Sequence, residues 1–155
     1  MQKAAVMEHN PDYHLRRWGD PVLRERCAEV EDFSYDSGLE ALLSAMYSIK
    51  GKHGGIGMSA PQVGDARRVV LADVYGWTRE FINPAITARS GHRLSLEGCL
   101  SIRLLRLPKL RSSSIELTYQ DRQGVSHSGV FTGMDATVLQ HELDHLDGRL
   151  IVDYL

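Results

Sequence analysis

One stretch near the C-terminal end, GMDATVLQHELDHLDG (residues 133–148), constrains the fold more than any other part of the chain. Leu139, Leu143, Leu146 and Leu150 recur at helical spacing along one side, so that side needs an apolar partner. His141, Glu142, His145 and Val138 lie on the other side, which also carries an apolar residue. Both sides ask for cover, and the spacing predicts an internal helix. Thr132-Gly-Met-Asp135 resembles a capping box with Asp in the usual Glu position, and Gly148 offers a stop.

Within that helix the pattern is H-E-x-x-H. Positions four apart stand one above the other, so His141 and His145 can converge on one metal ion. Glu142 sits about 100° around the axis, where its carboxylate addresses a water on the ion without being a ligand. Solvated histidines on a surface helix are the plainer alternative. A third ligand is needed, and its position discriminates among reaction types. Downstream of His145 the carboxylates are Asp147, which points off the ligand face, and Asp153. The ligand is therefore expected upstream. Cys99, in LSLEGCLS, offers a soft thiolate, and Gly98 beside it removes a side chain that could crowd the approach. His92 and His127 are competitors, and burial as a small hydrophobe is the competing role for Cys99.

The rest of the chain reads as α+β. Apolar residues at Leu39, Leu42, Leu43, Met46 and Ile49 mark a helix from Asp36 to about Lys50, with Gly51 as its stop. Asp20-Pro21 is an N-cap with proline in the first turn of a short segment. RRVVLADV, EFINPAI, SIELTYQD and GVSHSGVF are β-rich runs, with QDRQG between the last two as a hairpin turn. The expectation is a single domain over 1–155, with residues 1–14 as an N-terminal arm, built of antiparallel sheets packed around a central C-terminal metal-binding helix. A formal net charge of −2 gives no global field for nucleic acid or an anionic membrane. Two cysteines without CxxC spacing suit a reducing compartment. No apolar run approaches the roughly 20 residues that span a bilayer. These features predict a cytoplasmic protein with no membrane partner and no direct DNA binding.

The segment GGIGMSAPQVG (54–64) loosely fits the glycine spacing of a dinucleotide-binding turn, but it follows a helix rather than a strand. Pro61 also cannot donate the N–H that a helix interior there would require. The glycines instead clear the backbone for a peptide to lie alongside as an added strand.

Taken together, GIGMSAPQ (55–62), EGCLS (97–101) and QHELDHLDG (140–148) resemble peptide deformylase, the metallohydrolase that removes the N-formyl group from the initiator methionine of new proteins. The likeness runs from about Leu15 to the end. It implies Cys99, His141 and His145 as metal ligands and Glu142 as the catalytic carboxylate, with the Gln62 amide and the Leu100 N–H assisting the oxyanion. It also implies that Ile56, Gly57, Gly98 and Arg106 meet the substrate; Met134 and Val138 are candidate walls of a methionine pocket. The family typically uses Fe²⁺ and accepts Zn²⁺, Ni²⁺ or Co²⁺. Its partners are N-formyl-methionyl nascent peptides, with the ribosome near its exit tunnel as a possible second.

Two departures stand out. GMSAPQ replaces the commoner GLAAPQ, with Ser59 adding a hydroxyl, and Arg103 stands where a proline commonly follows EGCLS-I. The basic run Arg103, Arg106, Lys109 and Arg111 reads as a solvated strand in which Arg106 alone meets the substrate, so Arg111→Ala should change little. The alternatives are an H-E-x-x-H metallopeptidase, against which the missing downstream ligand argues, and a noncatalytic peptide-binding relative of deformylase, against which Glu142 and Gln62 argue.

Overall fold

The computed structural model describes residues 12–154. Two α-helices, α1 (Leu39–His53) and α2 (Gly133–Leu146), pack with seven strands: β1 (Gly57–Ser59), β2 (Val69–Val74), β3 (Trp77–Ser90), β4 (Arg93–Cys99), β5 (Ile102–Arg111), β6 (Ser114–Gln120) and β7 (Ser126–Thr132). Five strands form an antiparallel sheet in the order β1-β2-β3-β6-β7, and β4 and β5 form a separate hairpin.

The helix α2 lies between these layers. Ala136, Leu139, Leu143 and Leu146 bury one side against Val70, Phe81, Leu117 and Phe131 of the sheet, which is the cover the leucine spacing demanded. The histidine side faces β1 and the hairpin. A second apolar cluster joins Leu42, Leu43 and Met46 of α1 to Met58, Val63 and Leu71; Tyr13 and Leu15 pack against it. A third joins Leu23, Ile102, Leu150 and Ile151, and so seats the hairpin on the chain's two end segments.

Several local expectations change. α1 runs through Gly51 and ends at Gly54 (φ 65°), because only the latter adopts the left-handed cap conformation. Thr132 makes no side-chain cap bond; Asp135 Oδ2 instead accepts from the Tyr75 N–H at 3.3 Å. The Asp20 carboxylate does cap its short 3₁₀ turn, Pro21–Arg24, through the Val22 N–H. EFINPAI lies within β3, but its Asn-Pro step shifts the register between Ile82 and Ala85. Asn83 (φ 51°) holds that bulge, bonding both the N–H and the C=O of Val30 and the side chain of Gln120. The basic run is a strand as expected, β5, whereas β1 and β4, its hairpin partner, carry no strand signal in the sequence reading.

Candidate metal centre

α2 and the β4–β5 turn bring three soft or borderline donors together. The ligating atoms of Cys99, His141 and His145 lie within 4.8 Å of one another. Cys99 Sγ is 3.4 Å from His145 Nε2. His141 Nδ1 is 3.0 Å from Glu97 Oε1, which leaves Nε2 to face the cluster. His145 Nδ1 is buried without a hydrogen-bond partner among the described residues. A sulfur and two imidazoles at this spacing fit a divalent transition metal. The competing histidines go elsewhere: His127 pairs with Asp121 and stacks on Tyr119, while His92 is exposed. Asp147, off the ligand face as expected, pairs with Arg68.

Glu97 is itself buried. Burial pushes its carboxyl upward, but hydrogen bonds from Arg111 and His141 outweigh this and hold it down at about 2. Arg111 grips Glu97 through Nε and Nη2 at 2.8 and 2.6 Å and reaches Asp144 at 2.6 Å. It is therefore a buried brace for the histidine's carboxylate partner, and its assignment to a solvated strand is corrected. The dry surroundings act on His141 in the opposite sense, but Cys99 and Glu97 bonded to its ring and the nearby Glu142 charge raise it to about 10. His145 is held well below the ordinary histidine range by burial and by the charges of His141 and Arg111.

Glu142 is buried at 4% exposure beside this cluster, and burial raises its carboxyl to about 7. Its Oε2 has no hydrogen-bond partner among the described residues. Gly57 backs it: a Cβ on Gly57 would lie 2.6 Å from Glu142 Oε1 and 2.9 Å from its Cγ, so only a glycine leaves the carboxylate its place. Gln62 approaches from the end of the same glycine segment. Its Oε1 accepts from the Ser59 N–H (2.9 Å) and the Ser59 hydroxyl (3.0 Å), which fixes the amide's orientation. Its Nε2 is 3.2 Å from Ser101 Oγ and 3.7 Å from Cys99 Sγ. The Ser59 hydroxyl thus does more than replace a methyl-sized side chain.

A cleft of about 840 Å³ opens over these groups. β1, an edge strand bonded only to β2, forms one wall and β4 the other, with Ile56, Gly57, Gly98, Leu100, Arg106, Met134 and Val138 all on its lining. Val138 is buried at its floor, while Met134 and Arg106 are exposed at its rim. Gly98 does not relieve crowding at the sulfur, since a Cβ there would meet its nearest neighbours at 3.7 and 3.8 Å, an ordinary contact.

The sequence profile described as polypeptide deformylase matches residues 13–155. The chain belongs to the peptide deformylase family. A peptide deformylase of Chlorobium limicola is 41% identical over 146 residues, covering 89% of this chain and 77% of that protein. One from Dictyoglomus thermophilum is 37% identical, covering 90% of each. The crystal structure of peptide deformylase from Thermotoga maritima superimposes with a TM-score of 0.86 at 37% identity, covering 91% of this chain and 95% of that one. A Met-Ala-Ser-bound class I type b peptide deformylase of Acinetobacter baumannii gives 0.85 at 30% identity, covering 91% and 97%. Peptide deformylases are metal-dependent hydrolases that remove the N-formyl group from nascent peptides, so the metallopeptidase reading gives way. No helix among the described residues is long and apolar enough to cross a membrane.

Residue-type reasoning brought out the donors, Glu142 and Gln62, but gave no role to Glu97, Arg111, Ser101 or Thr137, whose buried Oγ1 has no hydrogen-bond partner among the described residues and which lines the cleft. Glu97 and Ser101 stand in EGCLS itself, where a buried glutamate beside a ligand cysteine signals a partner for a ligand histidine.

Proposed function

We propose that Cys99 Sγ, His141 Nε2 and His145 Nε2 hold the divalent ion of this deformylase, and that Glu142, Gln62 and the Leu100 N–H carry out the proton transfer and charge stabilisation. The observation that carries this is the meeting of the three donors with a dry carboxylate and an oriented amide in one cleft. Once bound, the ion supplies a Lewis acid that polarises the formyl carbonyl and lowers the pKa of water. Glu142 accepts the proton of the attacking water and returns it to the departing amine. Gln62 Nε2, oriented beforehand by Ser59, donates to the formyl oxygen as negative charge gathers there, and the Leu100 N–H assists. The peptide lies along the free edge of β1, meeting Ile56 and Gly57 on one side and Gly98 and Arg106 on the other. Val138 and Met134 line the pocket for the methionine side chain. The Acinetobacter neighbour with Met-Ala-Ser bound supports a methionine-led peptide as the ligand.

Ferrous iron is the ion we assign in the cell, since thiolate and imidazole donors suit it as they suit Zn²⁺, Ni²⁺ or Co²⁺. The cytoplasm, where formylated chains emerge from the ribosome, is the site of action, with no role for DNA or membrane.

Anaerobic purification, metal analysis and formate release from formyl-Met-Ala-Ser test the assignment. Cys99→Ala should lose metal and turnover together. Glu142→Gln should keep the metal and lose turnover by about 10²–10⁴. Gln62→Leu should lower turnover by about 10²–10³ with metal retained. Full metal loading and turnover in Cys99→Ala would refute the ligand set.

A further inference from the structure

Beyond the rim of the catalytic cleft lies a second concavity of about 510 Å³, lined by Arg17, Trp18 and residues 101–105. It shares Arg17 and residues 102–105 with the cleft, so the two adjoin. Two large apolar side chains in it are exposed: Trp18 at 55% and Leu104 completely. Leu104 also holds φ at 58°, a conformation that a bulky residue adopts at a cost and that clusters at functional sites. The local backbone thus presents a leucine to solvent beside an exposed tryptophan, next to Arg103 in the position where proline is common.

The glycine wall gives the direction of a bound peptide. At Gly57 the nearest neighbour is Glu142, where the formyl group reacts; at Gly55 it is the Leu100 side chain. Past Leu100 come Arg17, whose Nη1 donates to the Leu100 carbonyl at 2.8 Å, and Trp18, whose N–H donates to the Ser101 carbonyl at 2.9 Å. A peptide running from Glu142 along this wall therefore leaves the cleft toward Trp18 and Leu104. An extended peptide advances about 3.3 Å per residue, so a side chain reaching Trp18 and Leu104 belongs to a residue beyond the methionine, and the fourth to sixth positions are the ones to scan.

We infer that Trp18 and Leu104 form a distal substrate subsite that binds an apolar side chain of the formylated polypeptide well beyond its methionine. This rests on the deformylase reading of the cleft and extends it to a preference among substrates. Covering part of one leucine-sized side chain corresponds to a gain on the order of five- to tenfold in kcat/KM, carried by KM.

The test compares formyl-Met-Ala-Ser extended by three residues, with leucine at the fourth, fifth or sixth position, against the same hexapeptide carrying serine throughout. Metal-loaded wild type should favour at least one leucine peptide by about five- to tenfold. Leu104→Asn, which tolerates the left-handed backbone without an apolar side chain, and Trp18→Ala should each bring the leucine-to-serine ratio close to one. The readout is a ratio, so a general loss of activity in a variant cancels. A wild-type ratio near one at all three positions, or a ratio that survives in both variants, overturns the subsite. Failure of wild type to release formate from formyl-Met-Ala-Ser would overturn the function of the cleft instead.

Discussion

At the scale of single residues, the contrast between Arg106 and Arg111 shows what a charge run conceals. Both sit in β5, but successive strand residues face opposite ways. Arg106 is exposed at the cleft rim, whereas Arg111 is turned inward at 10% side-chain exposure against Glu97 at 6%. Removing one partner from such a buried pair typically costs about 3–5 kcal/mol, because the other charge stays behind. Here the abandoned charge is the carboxylate that orients His141. Arg111→Ala is therefore expected to lower stability and to weaken metal binding about 10–100-fold, which competition with a chelator measures. An affinity equal to wild type would show that Glu97 holds His141 without help. Arg106→Ala should leave metal binding alone and raise KM for short formyl peptides. The donor residues were legible because three residue types at motif spacing carry one chemistry. Arg111 was not, because its role depends on a hairpin whose register brings Arg93 opposite Arg111 and Glu97 opposite Leu107.

Among the elements, those whose pattern marks a buried side were legible, β5 was legible as a strand but not in which way it faces, and β1 and β4 were not. α2 was legible from its two demanding faces, and β2, β3, β6 and β7 from their β-rich runs. β1 has only three residues, too few for alternation to show, although it forms the cleft wall. β4 and β5 alternate, but leucines fall on their outer face, with Leu94, Leu96 and Leu110 all exposed, so the pattern does not mark the buried side. What β1 contributes is its clearance. A methyl group at Gly57 meets Glu142 at three atoms of its side chain, at 2.6 to 3.0 Å, so the carboxylate could yield only by moving toward the cleft. Gly57→Ala should consequently displace the carboxylate and lower kcat by on the order of 10² while the protein stays folded, since small misplacements of reacting groups carry such costs. Turnover near wild type, with thermal unfolding also unchanged, would mean that Glu142 works from a different rotamer.

At the scale of the whole molecule, two phenols and a thiol at joints between segments stay neutral when folded, and they contribute to its response to alkali. Burial, with Asp65 close by, pushes the Tyr13 phenol up to about 12. Burial and the hydrogen bond to Glu80 do the same for Tyr47, which joins α1 to β3. Cys27, buried where the chain's early segment bonds the end of α2, also rises to about 12 through burial, against the opposing charge of Arg68. In each case the folded-state pKa lies above the unfolded one, near 10 for tyrosine and 9 for cysteine. Between those values and about 12 the unfolded chain binds fewer protons, so stability is fully present below about pH 9 and falls as pH rises toward 12. The urea midpoint should therefore show no loss from these groups up to pH 9 and drop beyond it. Tyr13→Phe combined with Tyr47→Phe should start from a lower midpoint, having lost two hydrogen bonds, yet decline less steeply from pH 10 to 12. Cys27 should resist alkylation at pH 8 until the protein is unfolded, because a buried neutral thiol is a poor nucleophile. If the double variant declines as steeply as wild type, the alkaline limit lies in other groups; rapid native-state labelling of Cys27 would show that the joint between the early segment and α2 opens without global unfolding.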